Sequence, residues 1–179
     1  QCIANLGDYA GFDEFMEKAI AAHAKNPRVL ATASQLYLNT MHNGSVVSGK
    51  FERGHHRGGT AKYVDVYARD RVRALQLLAQ GLPHIGENDR SLGSSYHVQL
   101  ADTLMATRWG QSAWGLQILT DLTKLPDPDD AYGYHHHQAD RGAPVDEKGD
   151  PLYHPKPATW DVAQNDGQRW RFALARAAE

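Results

Sequence analysis

Cysteine is nearly missing from this chain: Cys2 stands alone among 179 residues. No intrachain disulfide can form, and neither a cysteine-based zinc site nor a haem-attachment motif is available. Long apolar runs are missing as well. None approaches the roughly 18 residues of a membrane helix, which argues against membrane insertion by this segment. An excess of one charge is also lacking. The formal net charge is −2, so the chain as a whole is not built for nucleic acid or an anionic membrane surface. No HExxH pair and no GxSxG elbow occurs. Ser91, Ser94 and Ser95 lie near His97 in sequence, but no orienting acid of known position accompanies them. Neither an enzyme nor a cofactor is expected.

What is present reads as an ordinary globular chain. Hydrophobic residues make up 41% and charged residues 22%, enough for one domain with a real core. The chain opens on QCIANLGDY, with no methionine and no visible signal peptide, and closes on RFALARAAE, which reads as helix. Both ends predict a piece of a longer protein.

Apolar spacing at i, i+3, i+4 and i+7 predicts a helix over Gly11 to Lys25, through Phe12, Phe15, Met16, Ala19 and Ile20. Asp8 and Asp13 are its candidate caps. Asn26-Pro27 ends it and starts a second helix to Met41, because proline suits a first turn. After a loop at 43–62, a third helix is predicted over Tyr63 to Leu82. In it, Arg69, Asp70, Arg71 and Arg73 read as a solvated face with local ion pairs. A fourth helix is predicted over Ser95 to Thr107. A fifth covers Gln111 to Leu125, on the spacing of Trp114, Ile118, Leu122 and Leu125. A last one runs from Thr159 to the end. Residues 143–154 read as a short hairpin, with Val145 and Leu152 flanking a turn in which Gly149 supplies positive φ. The four tryptophans, Trp109, Trp114, Trp160 and Trp170, read as core.

The expected fold is therefore all-α: a tetratricopeptide-like array of about six helices, with a long Gly/His/Arg loop and a small hairpin insert. Residues 1–126 would form the array, 127–158 the insert, and 159–179 a helix packed on the array, one domain overall.

Three features invite a functional reading. Gly44 to Lys50 nearly matches the phosphate-binding spacing of glycine, four residues, glycine and lysine, but Phe51 stands where magnesium chemistry needs Ser or Thr. The loop that follows carries Lys50, Arg53, His55, His56 and Arg57 among glycines, the usual tools for holding an anion or a partner's carboxylate. The plainer alternative is an ordered cap over helix ends. Histidine is the compositional outlier, with 10 residues. His135, His136, His137 and His154 would be the ligands of a metal site, although adjacent side chains diverge and seldom share one ion. The plainer alternative there is an exposed polar loop.

Three phrases together resemble a known family. They are GKFERGHHRGGTAKYVDVYARDRVRALQLL (49–78), GAPVDEKGDPLYHPKP (142–157) and AQNDGQRWRFALARAAE (163–179). They are similar to the N-terminal helical, tetratricopeptide-like region of bacterial alpha-2-macroglobulin-like proteins. The resemblance implies a large exported protein, periplasmic or extracellular, that traps proteases through a string of sandwich domains. This segment would be a non-catalytic scaffold or protein-interaction domain, its partners the other domains of the parent chain, a protease or an envelope protein. Many members carry a Cys-Leu-Glu-Gln thioester, but here Cys2 precedes Ile3, so no family catalytic residue carries over. The alternative class is a histidine-based metal- or anion-binding module.

Overall fold

Within the stretch at 43–65 that reads as a loop and a helix start, three strands form a β-sheet. The computed structural model describes residues 9, 11–56, 59, 61–86, 88–106, 112–128 and 144–179. Among them, five α-helices accompany one three-stranded antiparallel sheet of order β2-β1-β3. The fold is therefore mixed α/β, which corrects the all-α, six-helix expectation. The chain divides into two compact units: Gln1–Ile85 with Leu122–Tyr132, and Gly86–Asp121 with Gly133–Glu179.

The first unit opens with α1 (Phe12–Ala22) and α2 (Pro27–Asn39). The Asn26 side chain accepts from the amides of Arg28 and Val29 at 3.1 and 3.3 Å, and Pro27 fills the first helical position, as the sequence leads one to expect. Asp13 is not a cap; Gly11 holds that position, and Asp13 lies in the first turn. One face of α1, carrying Phe12, Met16 and Ile20, packs against Leu30, Ala33 and Tyr37 of α2 and against Ala74 and Leu77 of α3 (Tyr67–Gly81). The Phe12 and Tyr37 rings meet edge to face at 5.6 Å.

Between α2 and α3 lie β1 (Asn43–Val47), β2 (Lys50–Arg53) and β3 (Lys62–Asp65). Two residues, Ser48 at φ 50° and Gly49 at φ 78°, join β1 to β2. Positive φ at both central positions is what a tight hairpin needs to match strand twist, and Val47 pairs with Lys50 across it. The phosphate-loop spacing thus belongs to a hairpin turn. Strand β3 replaces the predicted start of α3 because its periodicity is two: Val64 and Val66 are fully buried, while Tyr63 is half exposed. The Asp65 side chain then accepts from the Tyr67 amide at 2.9 Å and opens α3.

The second unit holds α4 (Arg90–Met105) and α5 (Asp166–Ala177). Asp89 caps α4 by accepting from the Leu92 amide at 3.1 Å. Helix α5 starts seven residues later than expected, at an extended Asn165 that accepts from the Gln168 amide at 2.9 Å; Gln168 in turn accepts from the Gln164 amide at 3.0 Å. Tyr96, Leu100, Leu104, Trp160 and Ala173 are buried. The Ser94 hydroxyl donates to the Ala177 carbonyl at 2.7 Å, tying α4 to the end of α5.

The predicted fifth helix is not formed within 112–125; a single 3-10 turn, Ala113–Gly115, is the regular structure there. Its carbonyls serve distant donors instead of a helix ladder. Those of Leu116 and Ile118 accept from the Gly167 and Asp166 amides at 2.9 and 3.0 Å. The Leu122 carbonyl accepts from the Gln76 side chain at 3.1 Å. Ile118, on the predicted apolar stripe, is 80% exposed. Near the C-terminus, Val145 bridges Pro151 around a turn with Gly149 at φ 86°. No described helix is long and apolar enough to cross a membrane.

Candidate functional site

The glycine–histidine–arginine loop delivers one side chain inward, and that residue organises the first unit. Strands alternate their side chains, so Arg53 at the end of β2 faces the helices while Glu52 faces out. The Arg53 side chain is 1% exposed. Its Nε and Nη2 donate to the Asp13 carboxylate at 3.1 and 2.8 Å. Its Nη1 and Nη2 donate to the Asp70 carboxylate at 2.7 and 2.9 Å. Nη1 also donates to the Met41 carbonyl at 2.6 Å. A guanidinium has five N–H groups, and these five bonds use them all. The Phe12 and Phe51 rings lie 5.3 Å from its carbon, each in cation–π range. Burial alone would lower the Arg53 basicity; the hydrogen bonds and charges of Asp70 and Asp13 outweigh it and hold the guanidinium above its ordinary value.

His42 completes the cluster. Its Nδ1 lies 2.7 Å from Asp70 Oδ2 and its Nε2 lies 3.2 Å from the Leu38 carbonyl, in the last turn of α2. Its ring meets Tyr67 edge-on at 4.8 Å. Four elements thus converge on one pair of ions: α1 through Asp13, the end of α2 through Met41 and His42, β2 through Arg53, and α3 through Asp70. Asp70 is among the most buried side chains, not part of a solvated face. Arg73 reaches Glu17, 56 residues away, with bonds of 2.8 and 2.6 Å. Arg69 donates to the Pro126 carbonyl at 3.2 Å.

This arrangement is a clamp. Both carboxylates accept from the guanidinium, and a guanidinium does not give up its proton near neutrality. The remaining loop residues do not join Arg53. Lys50 and His55 are exposed. His56 pairs through Nδ1 with Glu52 at 3.1 Å. Arg57 lies outside the described residues.

His135, His136 and His137 lie outside the described residues. The His154 Nε2–H donates to the Ala113 carbonyl at 3.0 Å. Its ring lies so close over Gly167 that a Cβ there would sit 2.3 Å from ring atoms. Among the described residues, no group of three His, Cys, Asp or Glu side chains is placed to hold a metal ion. A shallow hollow at the turn between α1 and α2 is lined by residues 21–27, of which only His23 and Lys25 are ionisable. It gathers no convergent set of polar groups.

The second unit has a smaller clamp that sequence reasoning passed over. Asp166 is 4% exposed and accepts from the Thr120 amide at 3.0 Å, from the Thr120 hydroxyl, and from Arg169 at 3.2 Å. Arg169 also donates to the Thr120 carbonyl at 2.8 Å and lies 4.9 Å from the Trp160 ring centre. The local signal was present: Asn165-Asp166 before an Arg-rich helix is an N-terminal pattern that places an acid in the first turn. No family model, curated protein or solved structure matches the chain.

Proposed function

We propose that this chain is a non-catalytic scaffold or protein-interaction module of a larger exported protein, of the protease-trapping class that its three sequence phrases resemble. The observation that supports this reading is the fate of the chemically suggestive residues. Arg53 comes from the first phrase, and its partner Asp70 from the same phrase, 17 positions on. The most reactive-looking group in the loop is spent on holding strand to helix. His154 of the second phrase packs on Gly167 of the third. The likeness therefore runs through residues that join elements, as a scaffold requires.

The partners proposed are other domains of the parent chain, a protease or an envelope protein, in the periplasm or outside the cell. Photo-crosslinkers placed at the exposed Phe15 and Tyr63 of the full-length protein test this. Crosslinks to sandwich domains or to a trapped protease support the reading. A parent reading frame without sandwich domains, or turnover of a substrate by this chain alone, overturns it. Zinc titrated into the protein is expected to release no binding heat and to leave the melting temperature unchanged. A stoichiometric heat would instead favour the histidine-based module.

A further inference from the structure

His97 sits midway along α4 with a side chain that the clamps do not use. It is 7% exposed. Its Nδ1 lies 2.7 Å from the Gly93 carbonyl, one turn back on its own helix. Its ring meets Phe172 of α5 edge-on at 6.2 Å and Tyr96 at 6.5 Å. The charged groups that reach it come from the end of α5: Arg176, and Glu179 just beyond, which are ion-paired with each other.

We propose that His97 is an acid-sensitive latch between α4 and α5: the neutral ring packs against Phe172 and donates Nδ1–H to Gly93, and uptake of a proton loosens the two helices. The cause is local. A cation here loses hydration that the packed Phe172 and Tyr96 rings do not replace. Burial is the largest influence and disfavours the imidazolium. The Gly93 carbonyl favours it, Arg176 repels it and Glu179 attracts it. The balance holds the ring below the ordinary histidine value of 6.5. The unfolded chain then binds the proton more readily than the folded one. Stability carries no penalty from this group above pH 6.5 and falls as pH drops through 6.5 toward the folded-state value. The second unit is affected because α4 and α5 are its two long helices, joined at the same end by Ser94 and Ala177.

All four tryptophans, Trp109, Trp114, Trp160 and Trp170, belong to the second unit, so their fluorescence reports its unfolding. Urea midpoints measured from pH 8 to pH 5 should fall with acidification in the native chain. They should fall less steeply in His97→Phe, which keeps an aromatic ring and removes the titration. Equal pH profiles in the two proteins overturn the latch. If His97→Phe does not fold, the His97 ring proton is followed by NMR in the native chain. A titration midpoint below 6.5 upholds the proposal; one at or above 6.5 overturns it.

Discussion

Asp70→Ala is expected to destabilise the first unit by about 3–5 kcal/mol, the usual cost of removing one partner from a buried ion pair. A domain's whole stability is about 5–15 kcal/mol, so this single change approaches unfolding. The reason is what stays behind. Arg53 keeps its charge at 1% exposure and is left with Asp13, which is 37% exposed, and one carbonyl. His42 loses the same carboxylate. Replacing both ions with apolar groups, Arg53→Met with Asp70→Leu, should cost less than Asp70→Ala alone, because the only charge left without its partner is Asp13, which at 37% exposure can turn to water. The first unit contains no tryptophan. Hydrogen exchange at β2 and α3, with far-ultraviolet circular dichroism in urea, is therefore the measurement. A double variant less stable than the single one would refute the clamp.

Gly44→Ala carries the second large effect. A Cβ at Gly44 would stand 2.3 Å from the Glu52 carbonyl oxygen and 2.4 Å from the Phe51 ring. The ring can swing aside, but the carbonyl belongs to the β2 backbone. Gly44 pairs in register with Arg53, so the strand cannot retreat without dragging the guanidinium from its carboxylates. Overpacking of this kind costs about 1–3 kcal/mol, and here it adds to damage in the clamp. Adding Phe51→Ala should give little relief, because the backbone clash persists. Full recovery in that double variant, read by exchange at β1 and β2, would show that the ring alone was the obstacle.

Parts of this fold were legible in the chain. Helices α1 and α2 show a 3.6-residue period, and Asn26-Pro27 marks the boundary between them, whereas α4 begins at Arg90, five residues before the expected Ser95, behind an Asp89 cap. The sheet also left marks that a helical reading overrides: Ser48-Gly49 between apolar pairs is hairpin chemistry, and Tyr63-Val64-Asp65-Val66 alternates with a period of two. The stripe of Trp114, Ile118, Leu122 and Leu125 is helical in spacing yet forms no helix, because its carbonyls are claimed by residues some 46 to 51 positions away. Of the candidate loop residues, Arg53 is the buried one, bonded to Asp13, Asp70 and the Met41 carbonyl.

The sequence by itself determined the first two helices with the Asn26-Pro27 boundary between them, the lack of a disulfide and the Gly149 turn, because these depend on neighbours within a few positions. Only the tertiary structure decided that three strands within 43–65 form a sheet, that Asp70 is buried and that His154 lies against a glycine. Strand pairing and ion pairing join residues far apart in the chain. Arg53 and Asp13 are 40 positions apart, and Arg73 and Glu17 are 56. A charged residue looks the same in sequence whether its partner is water or a buried carboxylate, and the folded geometry alone makes that choice.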